Sequence, residues 1–455
     1  MEIRPHGPLG TPGFGACLGA VLYLAISGAG NVVAQQICDP LPPPTGHVID
    51  VYPVDVGTLR TTVAAAVSGD TILLHDGTYD LRETLQFSAS GVSLRSASGN
   101  RDAVIIDGGY SAGTGYETDF LIQITASDVT IANLTLRYAY YHPIQIYGPG
   151  IPISGVLIHN VRIIDPGEQA IKINPVGEGY IDYGSIECCS IELTDFGRTQ
   201  IRNDCYTGGI DAHQTRGWIV RRNYIEGFWC EKGLSEHGIH FWKGCRDTVV
   251  EGNVIVDCVR GIGYGLGSYT GVARTYPDDP YPGVGYIGHI DGIIRNNFVA
   301  AADSSLFASD YSFDSGISLE QSRGTEILHN TVASTATPAS SSIEWRFPNT
   351  SVHVANNLVS HLLLTRDGAV ATSEGNIESA PMSWFENVTA ADLHLTTSAS
   401  SPVDGGVLLG GQCDTDIDGD LRDDQPDVGA DEVGAAIFFD GFESGDTSEW
   451  SSAVP

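Results

Sequence analysis

A six-residue pattern, apolar-x-x-Asn-x-apolar, recurs five times along this 455-residue chain and leaves few folds open to it. The copies occupy 220–225 (V-R-R-N-Y-I), 250–255 (V-E-G-N-V-I), 294–299 (I-R-N-N-F-V), 327–332 (I-L-H-N-T-V) and 354–359 (V-A-N-N-L-V). Three earlier segments, 131–136, 158–163 and 186–191, keep the apolar frame with another residue at the Asn position, Cys189 in the last of them. Copies lie roughly 27 to 44 residues apart, so the unit is fixed while its connecting loops vary, which is how a solenoid behaves.

Each hexad is followed by a second short alternating segment: P-I-Q-I-Y from 143, A-I-K-I-N from 170, G-I-D-A-H from 209, G-I-H-F-W from 238, G-I-G-Y-G from 261, G-I-S-L-E from 316 and S-I-E-W-R from 342. Period two places Ile171, Ile173, Ile210, Ala212, Ile239 and Phe241 inside, with their neighbours outside. An Asn at a repeated corner tolerates left-handed backbone and can hydrogen-bond to the next coil. The expected fold is all-β, a single-stranded right-handed parallel β-helix solenoid. An N-terminal capping helix is expected over 57–67, where Leu59, Val63 and Ala66 share one face and can cover the open end of the stack.

The first 34 residues read as a signal peptide: Arg4 and His6 precede an apolar run too short for a membrane span, and Val32-Val33-Ala34 suits cleavage. The remaining organisation is a Pro-rich linker over 35–54, the β-helix over 55–400, a closing coil segment over 401–433 and a C-terminal tail over 434–455. Without Cys17 eight cysteines remain, an even number that suits an oxidising compartment, and six of them crowd into 188–258. Disulfide bracing of the long loops there follows as an expectation. The formal net charge of −33 excludes nucleic acid and anionic membranes as partners over most of the surface. The expected product is a secreted or cell-surface monomer.

The segments G-D-T-I-L-L-H-D-G-T-Y-D-L from 69, G-V-S-L-R from 91 and V-I-I-D-G from 104 resemble the opening coils of the pectate-lyase-like β-helix superfamily. The resemblance spans about 55–400 and no signature of a particular lyase or hydrolase family is present. Near the C-terminus S-P-V-D-G-G from 401 and D-T-D-I-D-G-D-L-R from 414 are similar to the closing segment of surface-associated bacterial β-helix proteins. Asp414, Asp416, Asp418 and Gly419 mimic the start of a calcium loop, but Gln425 stands where an EF-hand needs its bidentate Glu, so a structural turn is expected.

Chemistry is expected on the outward positions of the second strands. One column runs Gln145, Lys172, Asp211, His240, Gly263, Ser318, Glu344; the next runs Tyr147, Asn174, His213, Trp242, Gly265, Glu320, Arg346. Neighbouring coils stack about 4.8 Å apart, so Lys172, Asp211, His213 and His240 converge on one patch, with Gly263 and Gly265 expected to leave open space beside it. The chain has only three lysines, Lys172, Lys232 and Lys243, and ten of its 23 basic residues lie between Arg162 and Arg246. Positive charge is thus concentrated where a polyanion would dock. An ordinary cross-rung ion pair between Lys172 and Asp211, stabilising by about 0.2–1 kcal/mol, is the competing structural reading.

The superfamily resemblance implies a carbohydrate-active protein. Its uronate lyases abstract the proton beside a carboxylate with Lys, Arg or His while a cation, often Ca²⁺, offsets the charge. On that footing an acidic polysaccharide is the expected substrate, with Lys172, Asp211, His213 and His240 catalytic. His213 or His240 is the better base, because Asp211 would raise the pKa of Lys172. Asn174, Trp242, Arg216, Lys243 and Arg246 are candidate substrate-binding residues; Glu168, Glu236 and His237, at corners, could donate a proton or hold a metal. Two alternatives stand beside the lyase. A glycoside hydrolase would need two carboxylates about 5 to 9.5 Å apart, such as Asp211 with Glu236 or Glu168, and a non-catalytic glycan-binding solenoid would stack sugars on Trp242 and the loop tyrosines.

Overall fold

Apolar residues at every second position of three short strands per turn can all be buried only if the chain coils around them, and it does. The computed structural model describes residues 38–267 and 273–434. The segment read as a signal peptide, with Cys17, and the tail beyond 434 and loop residue Tyr269 lie outside the described residues. Three long sheets, parallel throughout, run the length of the solenoid, one of fourteen strands and two of ten. This is a right-handed parallel β-helix. Each turn contributes a strand to the first ten-stranded sheet (Gln169–Val176 in one turn), then one to the fourteen-stranded sheet (Ser185–Glu187), then one to the third (Ser190–Glu192).

The core is a set of aliphatic stacks. Ile144, Ile171, Ile210, Ile239, Ile262, Ile317 and Ile343 lie in register across successive coils and are fully buried. Helix α1 (Val56–Ala65) packs Leu59, Val63 and the capping Ala66 against Leu85–Phe87, the first strand of its sheet, and so closes the N-terminal end. Regular structure starts earlier than the helix, with strand Val48–Val51 inside the stretch read as linker.

The recurring Asn forms a buried ladder. Each Nδ2 donates to the next Oδ1, from Asn223 to Asn253, Asn297, Asn330, Asn357 and Asn376, at 2.9 to 3.0 Å per step. Left-handed backbone belongs to the residue before it (Arg222, Gly252, Asn296, His329, Asn356), not to the ladder Asn as expected. The tight turn is made one position earlier so that the amide points inward and satisfies backbone groups of both coils.

Two disulfides form: Cys205–Cys230 braces a loop beside the central coils, and Cys38–Cys188 ties the N-terminal segment to the stack. Cys189, Cys245, Cys258 and Cys413 stay as buried thiols, so the even count does not translate into four bridges. Cys189, Cys245 and Cys258 join the hydrophobic core, where a free cysteine packs as a small apolar group. The closing segment, which in the structure begins earlier than residue 401 with the hairpin of Phe385–Asn387 and Asp392–Leu395, lies along the side of the solenoid. Val428, Ala430, Leu393 and Ile417 cover the outward residues Val254, Val256, Phe298, Ala333 and Leu358 of the third sheet. Within it, Asp416 Oδ1 accepts from the N–H groups of Asp418, Gly419 and Asp420, which makes the Asp-rich stretch a backbone turn.

Candidate active face

Two side-chain columns stand on the outside of the first ten-stranded sheet in the register that period-two alternation gives. Gln145 pairs with Lys172, Lys172 with Asp211, Asp211 with His240, and His240 with Gly263. In-register pairing there brings the charged groups of three successive coils together at the strand spacing.

Lys172 is the hub. Its Nζ donates to Tyr206 Oη at 2.9 Å and to Asp211 Oδ2, and lies 3.5 Å from His213 Nε2. The ammonium is also 5.3 Å from the Tyr206 ring and 5.7 Å from that of Trp242. Burial pulls the Lys172 pKa down, but Asp211 and Tyr206 more than offset it, and the net shift is upward. Asp211 is fully buried, which alone would raise its pKa; Lys172 and His213 outweigh that and hold the carboxyl well below the usual range. His213 Nε2 sits 3.0 Å from Asp211 Oδ1, too bent for a good hydrogen bond. Burial lowers the His213 pKa despite Asp211, so the imidazole is neutral near pH 7. The face therefore presents a fixed cation, a fixed anion and a neutral base in contact.

Trp242 lies between two imidazoles, with ring centroids 4.4 Å from His213 and 5.2 Å from His240. His240 in turn faces Glu236 at 3.2 Å and the Gly265 carbonyl at 2.8 Å. Asn174 accepts from Gln145 Nε2 at 2.8 Å on the coil below. Glu168 is buried against Asn203 and lies 3.6 Å from His142; burial raises its pKa.

The remaining sequence candidates fall at the edge of the patch. Arg216 Nε binds Asp247 Oδ2 at 2.8 Å, and Arg246 Nη1 binds Asp278 Oδ1 at 2.7 Å, so both guanidiniums are engaged by acids at the corner beyond the sheet. Lys243 is half-buried and adds positive potential at His213. The expected open space at the glycine rung is absent, because the His237 ring covers Gly263 and the Glu320 carbonyl closes on Gly265.

Both long loops fold onto the edges of this sheet. Tyr206, in the 194–208 loop, reaches Lys172. Opposite, Arg274 forks onto Asp182 at 2.6 and 2.8 Å and stacks on Tyr180 and Tyr276, pinning the 273–287 segment. Sequence reading does not reach Tyr206: strand parity registers residues within strands, and a position inside a variable loop carries no periodic signal.

This architecture places the protein among the right-handed parallel β-helices. An alginate lyase from Paenibacillus sp. strain FPU-7 matches it with a TM-score of 0.50 and 16% identity, over 71% of this chain and 99% of that one. Pectate lyase Pel9A matches with a TM-score of 0.45 and 15% identity over 85% and 96%. PfbA, a surface adhesin of Streptococcus pneumoniae, gives 0.45 and 12% over 72% and 87%. No family model and no curated protein sequence matches the chain. The likeness at these identities is one of fold.

Proposed function

We propose that the protein is an exported polysaccharide lyase that cleaves a uronate-containing polymer by β-elimination on the Lys172 face. The observation that carries this reading is a cationic, largely buried Lys172 held beside a neutral, partly exposed His213, 3.5 Å away, on the outward side of the first ten-stranded sheet. Lys172 binds the substrate carboxylate and offsets charge as the neighbouring C–H acidifies. His213 removes that proton; the released electron pair forms a carbon–carbon double bond and expels the glycosidic oxygen. Tyr206 accepts from Lys172, which leaves the phenol's own hydrogen free to be donated to the departing oxygen. Trp242 supplies an apolar platform for a sugar ring. The two disulfides fit an exported protein, and among the described residues no helix is long and apolar enough to cross a membrane.

Each cluster of three candidate side-chain ligands among the described residues includes an imidazole, a donor set that suits calcium less well than all-oxygen ligation. The hydrolase alternative is weaker because Asp211 is held ionised against Lys172 and Glu168 is buried against its partners. Screening uronate polymers for new ultraviolet absorbance tests the reading. Unsaturated products that disappear in H213Q support it. Reducing ends without that absorbance would show hydrolysis, and binding without either product would show a glycan-binding module.

A further inference from the structure

One rung along the axis, Glu236, His237 and His240 each bring a donor atom within 4.8 Å of the others. The hydrogen bonding of His240 makes this cluster informative. Its Nε2 faces the Gly265 carbonyl at 2.8 Å, an acceptor only, so that nitrogen carries hydrogen. The lone pair then lies on Nδ1, which faces Glu236 Oε2, a second acceptor, at 3.2 Å. Two acceptors meet at that distance only when a cation lies between them. Either a proton occupies the gap or a metal ion does.

His237 is the independent observation. Its Nε2 lies 2.9 Å from Ser318 Oγ, while its Nδ1 is buried without a hydrogen-bond partner. The side chain is only 4% exposed, and a buried imidazole nitrogen left unpaired calls for an explanation. The ring centroid is 4.2 Å from that of His240, so the two rings share one compartment.

We propose that Glu236, His237 and His240 form a binding site for a divalent transition ion of the Zn²⁺ class. Two imidazoles and one carboxylate are a borderline-soft nitrogen and oxygen set that suits Zn²⁺ and leaves a coordination position for a solvent or substrate oxygen. Glu236 is the partly exposed member and provides the approach. The second cluster, His394 with Asp418 and Asp431, is a different case. There Asp392 and Asp418 hold the imidazole as a cation between them, and a charged ring cannot ligate. The site stands independently of the elimination reading, because it is assayed by binding.

The full chain, stripped with a chelator, is titrated with Zn²⁺ and Ca²⁺ by calorimetry and with Co²⁺ by visible absorption. One equivalent of Zn²⁺ is expected to bind, with Co²⁺ giving the bands of a nitrogen-and-oxygen site and Ca²⁺ failing to compete. E236Q and H237A should each weaken Zn²⁺ binding by about ten-fold or more, and H394A should leave it unchanged. E236Q preserves side-chain shape, and melting both variants in chelator separates lost ligation from lost folding. Absence of stoichiometric Zn²⁺ binding by the parent protein overturns the proposal. So does binding that survives both E236Q and H237A, or that is lost only in H394A; the gap is then filled by a proton.

Discussion

The ring of His237 lies directly over Gly263, so close that a Cβ on the glycine would stand 2.6 Å from Nε2. Gly263 has no left-handed backbone requirement, so its small size serves the ring alone. G263A is therefore expected to displace His237 and destabilise the protein by roughly 1–3 kcal/mol, the usual cost of overpacking. The double variant G263A/H237A should recover most of that loss, because the clash is gone. Denaturant melts of the four proteins in the cycle measure the coupling.

Lys172 and Asp211 form a buried pair, so removing one partner strands the other. K172M is expected to cost roughly 3–5 kcal/mol, since it leaves a fully buried carboxylate uncompensated. K172M/D211N should regain much of the stability while staying inactive, because the carboxylate-binding cation is still missing. Chemical denaturation alongside turnover on the best uronate polymer separates the two effects. A double variant with restored turnover would leave the pair a purely structural ladder.

The legible part of this protein is the part governed by period two. Ile171, Ile210 and Ile239 inside, and Lys172, Asp211 and His240 outside, follow from alternation once the hexads set the coil boundaries. What alternation does not reach is the corners. His237 over Gly263, Tyr206 against Lys172 and Arg274 on Asp182 all depend on loop paths whose lengths vary between coils. Arg216 and Arg246 illustrate the same limit from the other side. Their sequence neighbourhood is basic, but Asp247 and Asp278, brought in by the corner and the long loop, engage both guanidiniums. The ladder Asn was visible as a repeat, yet which residue took the left-handed turn depended on where the amide had to point.

That ladder gives a position-dependent expectation. Asn297 Nδ2 donates to Asn330, to Val250 O and to Arg295 O, while its Oδ1 accepts from Asn253. N297A would leave several buried groups unpaired at about 1–3 kcal/mol each, so a loss of roughly 3 kcal/mol or more is expected. N376A, at the half-exposed end of the row, should cost nearer 1 kcal/mol, because water can replace the amide. Equal losses at the two positions in urea melts would contradict a role set by burial.

The closing segment carries its own pH dependence. His394 Nδ1 lies 2.6 Å from Asp392 Oδ1 and its Nε2 lies 2.9 Å from Asp418 Oδ2, which clamps the hairpin strand Asp392–Leu395 to the Asp-rich turn. Burial pulls the imidazole pKa down, but the two carboxylates prevail and raise it to about 9. An unfolded histidine titrates near 6.5, so the folded state holds the proton more tightly. The clamp therefore contributes its full stability below about pH 6.5, and loses it as pH rises through about 9. Because this segment covers Val254, Phe298 and Leu358, its release should expose apolar surface before the solenoid itself melts. The parent protein is expected to bind a hydrophobic dye increasingly between pH 7 and pH 10, alongside greater proteolysis within 385–433. H394Q, which cannot be charged, should show that exposure already at pH 7 and little further change with alkali. A parent protein whose proteolysis is flat across that range would place the strength of this contact in packing, not in the charged imidazole.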